Sequence, residues 1–184
     1  LMAILGGYLG DRVFGPERTL FYSAVAIMFG HLALSLIPNF AGVIIGLILI
    51  AVGSGCLKTN ASVLVASLYD VKDMRREAGF TVFYMGVNIG ALVGPLFTNT
   101  GWGIFGFHFG FLLAAIGMAL GLLQYALTRK NLPESVHYVN NPANGRQKGL
   151  FVGGLGVAVV IVLILCMLGL ITPGNISNWV IGLT

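Results

Sequence analysis

The sequence has few charged residues. Only 9% of its positions are Asp, Glu, Lys or Arg, whereas about a quarter is usual for a soluble domain. The chain is 57% hydrophobic and holds apolar runs as long as a bilayer-spanning helix, which needs ~17–25 residues. This excludes an ordinary soluble domain and predicts an all-α integral membrane protein in a lipid bilayer. The apolar runs are 20–37, 40–57 with a continuation past Lys58 to 68, 80–97, 107–127 and 150–171.

Cysteine and clustered catalytic groups are also scarce. Cys56 and Cys166 both lie in apolar runs, which argues against a disulfide framework. A membrane enzyme would need paired acids, a His/Cys metal cluster or an activated serine at membrane depth, and the spans have none of these patterns. We therefore expect no enzyme, metal site or organic cofactor, and a membrane enzyme is the weaker alternative.

The charges that are present lie in alternate connections. Nine of the ten Lys and Arg residues and all six acids fall in three polar stretches, 11–18, 69–77 and 128–148. Successive spans alternate sides, and basic loops stay in the cytoplasm. We therefore predict a multi-pass protein of the cytoplasmic membrane, with no nucleic-acid partner despite the net charge of +4. The connections without Lys or Arg are 38–39, 98–106 and 172–178.

The spans predict how the chain is divided. Residues 1–10 read as the end of one span, four whole spans follow, and further spans begin at 150 and 178, so we expect a fragment. Residues 128–148 are rich in Asn, Pro and Gly and predict a cytoplasmic linker. Glycines four residues apart predict close helix packing. They are Gly42 and Gly46, then Gly86, Gly90 and Gly94, then Gly117 and Gly121.

Lys58 is the one charge inside apolar sequence. With Ser54 and Ser62 it forms a polar stripe at i−4, i and i+4 of a helix. It lies about ten residues, or ~15 Å, from the next polar stretch, beyond the reach of a snorkelling lysine. A charge at that depth predicts a functional site. The alternative is a structural ion pair with an acid outside this sequence.

A second polar cluster lies in the run 80–97. Thr81, Tyr84 and Asn88 recur at i, i+3 and i+7 and share one face of a helix. An asparagine at membrane depth can bind a ligand, or it can bond neighbouring helices together. Both interpretations stay open from this chemistry alone.

A third cluster, residues 6–18, ends a span in a Gly/Pro turn. It has two adjacent acid–base pairs, Asp11 with Arg12 and Glu17 with Arg18. A solvated loop with orientation charges would explain it. However, Gly7, Asp11, Arg12 and Gly15 form a Gly-x-x-x-Asp-Arg-x-x-Gly spacing that resembles the loop between helices two and three of the major facilitator superfamily.

All three clusters together resemble one branch of that superfamily, the proton-coupled oligopeptide transporter (POT) family. Residues 6–18 resemble its first signature and 83–92 its second, F-Y-x-x-[IV]-N-x-G-[SA]-L. Residues 53–60 resemble its fourth-helix pattern G-x-G-x-x-K-x-N, with Thr59 where proline is frequent.

The resemblance implies a major facilitator helical bundle, here from the end of helix 2 through helix 6. Residues 1–127 would belong to the amino-terminal six-helix bundle, and 128–148 would be the cytoplasmic linker. Residues 149–184 would be part of an extra transmembrane hairpin between the two halves. The alternative is that 150–171 is helix seven.

The resemblance also implies proton-coupled symport of di- and tripeptides, with the proton as coupling ion and a monomer as the full-length form. Lys58 would attract the peptide carboxylate and couple to an acid on the first helix. Asn88, with Tyr84 on the same face, would hydrogen-bond the peptide backbone. Gly7, Asp11, Arg12 and Gly15 would form the cytoplasmic gate loop. A major facilitator transporter of another small solute, such as nitrate or a sugar, is the alternative.

Overall fold

A computed structural model of the chain describes residues 2–37, 40–70, 72–133, 136, 139, 142, 144 and 145. The chain divides into two units, Leu1–Pro142 and Ala143–Thr184. The predicted hairpin and about half of the predicted linker lie outside the described residues.

The described part is helical, as the sequence predicts. Four of its helices are long and apolar enough to cross a membrane, which confirms the all-α membrane fold. The elements are α1 (Met2–Leu9), a π-helical turn (Gly10–Phe14), α2 (Pro16–Leu36), α3 (Phe40–Ser67), α4 (Arg75–Phe105), α5 (Phe107–Thr128) and a 3-10 turn (Arg129–Asn131).

Helix α2 packs antiparallel against α3 through small residues. A Cβ added at Gly30 would lie 2.9 Å from the carbonyl oxygen of Gly46. One added at Gly53 would lie 2.8 Å from that of Ser23. Any larger side chain here would push the backbones apart. The close packing predicted for Gly46 is confirmed.

Helix α1 runs parallel to α3, and Asn60 joins the two. The Asn60 side chain is 1% exposed. Its Nδ2 donates hydrogen bonds to the carbonyl oxygens of Gly6 in α1, at 2.9 Å, and of Cys56 in α3, at 2.8 Å. Gly10 leaves the space that this side chain occupies, since a Cβ there would collide with Asn60. The buried amide therefore fixes how α1 lies on α3.

The described basic residues of the three polar stretches lie at one end of the first unit. Helix α5 is antiparallel to α2: Arg129 contacts Glu17 at this end, and His108 contacts Leu34 at the other. The end of α3 reaches the same end as the start of α2. This arrangement is the one that alternating spans predict. Its assignment to the cytoplasm stays a prediction.

The outer connection predicted at 98–106 is shorter than expected, because α4 continues to Phe105. The hydroxyl of Thr100 donates to its own helix, to the carbonyl of Leu96 at 2.7 Å, and Gly101 packs on Leu113 of α5. The chain turns only at Gly106, whose φ is 93°. Helix α4 is therefore the longest described helix, at 31 residues.

Gly42 is also closely packed, since a Cβ there would collide with Ile37. The remaining five predicted glycines have no partner among the described residues. A Cβ at any of these glycines would meet nothing within 4 Å. Helix packing there stays a prediction. The positions are Gly86, Gly90 and Gly94 of α4 and Gly117 and Gly121 of α5.

Candidate functional site

Lys58 lies on the exposed side of α3. Cys56 and Asn60 are buried against the neighbouring helices, whereas Ser54 and Lys58 are exposed. Both serine hydroxyls bond within α3, Ser54 to the carbonyl of Ala51 and Ser62 to that of Lys58. No carboxylate among the described residues forms an ion pair with Lys58. The predicted polar stripe is thus present and available to a ligand or another helix.

Helix α1 borders this stripe. A Cβ at Gly55 would lie 2.7 Å from the carbonyl carbon of Met2. The hydroxyl of Thr59 also donates to the carbonyl of Ala3 at 3.2 Å. Gly55 therefore makes room for the neighbouring helix α1. Thr59 has an α1 contact that the sequence patterns did not indicate.

Tyr84 and Asn88 line one open groove on α4, together with Thr81. Tyr84 is 53% exposed, and its ring stacks on that of Phe80 at a centroid distance of 6.3 Å. The groove is formed by α4 alone and does not include Lys58. Asn88 makes no hydrogen bond to another helix within the described ranges. The interpretation that it bonds neighbouring helices together therefore stays a prediction. The lining residues are Phe80, Thr81, Tyr84, Met85, Asn88, Ile89 and Leu92.

The predicted gate loop folds as the π-helical turn. Gly15 follows it with φ 86°, a value that glycine adopts without strain. Pro16 then starts α2, where its fixed φ suits the first helical position. Asp11 is exposed and Arg12 half-buried, and neither forms an ion pair within the described part of the chain. Gly7 lies one turn before Asp11, and a Cβ added to it would lie 3.8 Å from the side chain of Thr59. Such π turns occur often at functional sites.

The predicted pairing of Glu17 with Arg18 is wrong. Glu17 has no exposed surface, and Arg129 at the end of α5 approaches both of its carboxylate oxygens, at 2.9 and 3.0 Å. The first turn of α2 faces the last turn of α5, so Glu17 points into the bundle while Arg18 is exposed. The two partners are 112 residues apart, and no local pattern reveals them.

The loop between α3 and α4 has its own ion pair. Asp73 accepts hydrogen bonds from the Arg75 guanidinium, at 3.2 and 3.0 Å, and from the Arg75 backbone N–H at 2.9 Å. These bonds favour the charged carboxylate and lower the pKa of Asp73. The pair thus joins the α3–α4 loop to the first residue of α4.

Comparison with known proteins identifies the family. The family described as PTR2, POT family, matches residues 17–152. This chain belongs to the POT family. An uncharacterized transporter YclF of Bacillus subtilis is 43% identical over 166 residues, which cover 90% of this chain and 33% of that protein. A di-/tripeptide transporter of Lactococcus lactis subsp. cremoris is 37% identical over 97% of this chain and 36% of its own length.

Solved POT structures have the same fold. A POT family transporter in complex with 5-aminolevulinic acid is 37% identical, with a TM-score of 0.85 over 99% of this chain and 38% of that chain. A mutant peptide transporter POT in complex with alafosfalin is 42% identical, with a TM-score of 0.80 over 90% of this chain and 34% of that one. The chain thus spans about a third of the length of its POT relatives.

The POT fold places the predicted site residues on separate helices. Lys58 is on α3, Tyr84 and Asn88 are on α4, and the π-helical turn lies at the charged end of the unit. The described residues bring Tyr84 and Asn88 together and leave Lys58 apart from them. A ligand that contacted all three would have to span the space between α3 and α4.

Proposed function

We propose that this chain is part of a proton-driven symporter of di- and tripeptides in the cytoplasmic membrane. Membership of the POT family supports a peptide substrate, as do the names of several relatives. The observation on which the proposal depends is Lys58, an exposed ammonium group in a membrane-spanning helix. The transporter would work as a monomer.

Lys58 would bind the carboxylate of the peptide. In the low dielectric of a membrane protein, a charge interaction is several times stronger than in water. A carboxylate nearby favours the charged form of a desolvated lysine, and its departure disfavours that form. Substrate arrival and protonation of an acid on another helix could thus compete for the same ammonium group. This competition would link peptide movement to proton movement.

Asn88 and Tyr84 would hold the uncharged part of the peptide. The Asn88 amide offers two donors and an acceptor, which match the N–H and C=O groups of any peptide backbone. Such contacts do not depend on the substrate side chains. The exposed rings of Phe80 and Tyr84 would provide an apolar surface for those side chains.

The π-helical turn would serve as part of the cytoplasmic gate. Asp11 and Arg12 project from it, and Gly7 and Gly15 permit its close packing and its sharp exit into α2. Because no described carboxylate or base pairs with Asp11 or Arg12, both are available to a partner on the other half of the transporter.

Uptake by liposomes containing a full-length transporter with this chain tests the proposal. An inward proton gradient should drive accumulation of a labelled dipeptide, and dissipating the gradient should abolish it. Unlabelled di- and tripeptides should compete, whereas nitrate and glucose should not. Competition by nitrate or glucose but not by peptides would refute the proposed substrate class.

A further inference from the structure

The start of α2 and the end of α5 share a buried ion pair that the proposed peptide site does not use. Glu17 is completely buried, whereas the Arg129 side chain is 35% exposed. The Tyr125 hydroxyl lies 3.5 Å from the same Glu17 oxygen that Arg129 approaches at 2.9 Å. A buried carboxylate is tolerated only with such partners. Arg129 therefore fixes where the first turn of α2 lies.

Aromatic rings extend this ion pair to the π-helical turn. The guanidinium of Arg129 lies 5.0 Å from the ring centroid of Phe21, and Phe21 also stacks on Tyr125 at 6.5 Å. Phe21 makes an edge contact with Tyr22 at 6.0 Å, and Tyr22 makes another with Phe14 at 6.0 Å. Phe14 is the last residue of the π-helical turn. A continuous set of contacts thus joins that turn to the end of α5.

We propose that Glu17 and Arg129 are positioning residues for transport, which rests on the proposed function of the chain. Glu17 lies three residues beyond Phe14, where the π-helical turn ends, and Arg129 begins the 3-10 turn that leaves α5. The pair therefore fastens the turn to the exit of α5, so that the two segments move together when the gate opens and closes.

The test uses a full-length transporter containing this chain, with a reporter cysteine introduced by Val13→Cys in the π-helical turn. Glu17→Gln and Arg129→Gln each remove one side of the pair, and the double variant removes both. Arg18→Gln and Glu77→Gln are matched controls, because they remove the same charges from exposed positions. Two quantities are measured per folded molecule: uptake of a labelled dipeptide, and the labelling rate of the reporter.

Each single variant should lower the maximal uptake rate about two- to thirtyfold, the range in which residues along a coupling path act. The KM for peptide should stay unchanged, since neither residue touches the peptide. Reporter labelling should become faster in each variant. The fold loss of the maximal uptake rate in the double variant should be smaller than the product of the two single fold losses. Both controls should match the parent.

Arg129→Lys provides a milder variant should the others fold poorly. It keeps the charge but loses the two-pronged geometry of the guanidinium, so faster reporter labelling is expected here too. Parental uptake and labelling in all variants would overturn the proposal. A lower amount of folded protein with parental uptake per folded molecule would also overturn it. So would a double variant whose loss of uptake equals the product of the two single losses. A parent that fails to transport dipeptides would refute the proposed function, while labelling, which needs no substrate, would still test the pair.

Discussion

At the scale of single residues, the most specific prediction concerns Lys58. Lys58→Ala should abolish acid-stimulated dipeptide uptake while the protein stays folded and inserted, since removing a charge at membrane depth lowers the cost of insertion. Peptide counterflow, which needs no net proton movement, should survive in part. Lys72→Ala, which removes an exposed loop lysine, should transport like the parent.

Lys58→Arg tests whether a positive charge alone is enough at this position or whether the side chain must also release a proton. Arginine keeps its proton and has a planar, bulkier head group, so proton-driven uptake should also be impaired. Uptake at the parental rate by Lys58→Ala across the acid range would contradict the role proposed for this residue. Lys58 would then be a structural charge only.

Asn88 should affect substrate affinity rather than proton coupling. Asn88→Leu removes a hydrogen-bonding group worth about 0.5–1.5 kcal/mol, which corresponds to roughly a two- to tenfold higher KM for peptides. The pH dependence of uptake should not change. Val82→Ala, an exposed position of α4 outside the groove, is the control. An unchanged KM in Asn88→Leu would instead favour a role for Asn88 between helices.

Some of these residues stand out in the sequence and others do not. Lys58, Tyr84 and Asn88 are visible because polar groups are rare in apolar runs and must face a ligand, a helix or water. Glu17 resembled an ordinary loop acid, because its neighbour Arg18 offered a local partner. Its real partner, Arg129, is set by the antiparallel packing of α2 and α5. No spacing along the chain encodes that contact.

At the scale of elements, helix ends were predicted less well than helix centres. Residues 98–106 contain Thr, Asn and Gly, which usually indicate a loop. In the structure, however, the hydroxyls of Thr98 and Thr100 bond to carbonyl groups of their own helix, and α4 stays helical until Gly106, whose φ of 93° turns the chain. The centres of α2 to α5 were predictable because their length and apolar content depend on the bilayer.

Asn60 is the residue whose loss should most weaken the packing of one element on another. Asn60→Leu leaves the Gly6 carbonyl without its bond from α3 and places a branched side chain against Gly10, so the melting temperature of the purified full-length transporter should fall. A buried polar group that loses its partner costs about 1–3 kcal/mol. Ser67→Ala is the control, because that hydroxyl bonds only within its own helix, to Leu64. Equal melting temperatures in both variants would contradict the role of Asn60.

At the scale of the whole molecule, hydropathy predicts the spans but not the order in which they pack. Apolar residues surround α2 to α5 on most faces, so nothing in the sequence indicates that α2 lies between α3 and α5. That order follows from small residues such as Gly30 and Gly46 and from contacts between distant residues. The alternation of basic stretches, in contrast, follows from how a chain inserts into a bilayer.

The orientation of the molecule in the membrane gives the last prediction. Single cysteines introduced by Met74→Cys, in the loop between α3 and α4, and by Lys130→Cys, after α5, should not react with an impermeant thiol reagent added outside intact cells. Gly103→Cys, in the last turn of α4, should react. The α3–α4 loop and the end of α5 lie at one end of the unit and Gly103 at the other, so the three positions cannot share a side if the spans cross the membrane. Labelling of Met74→Cys but not of Gly103→Cys would invert the orientation. Labelling of both would mean that α4 does not cross.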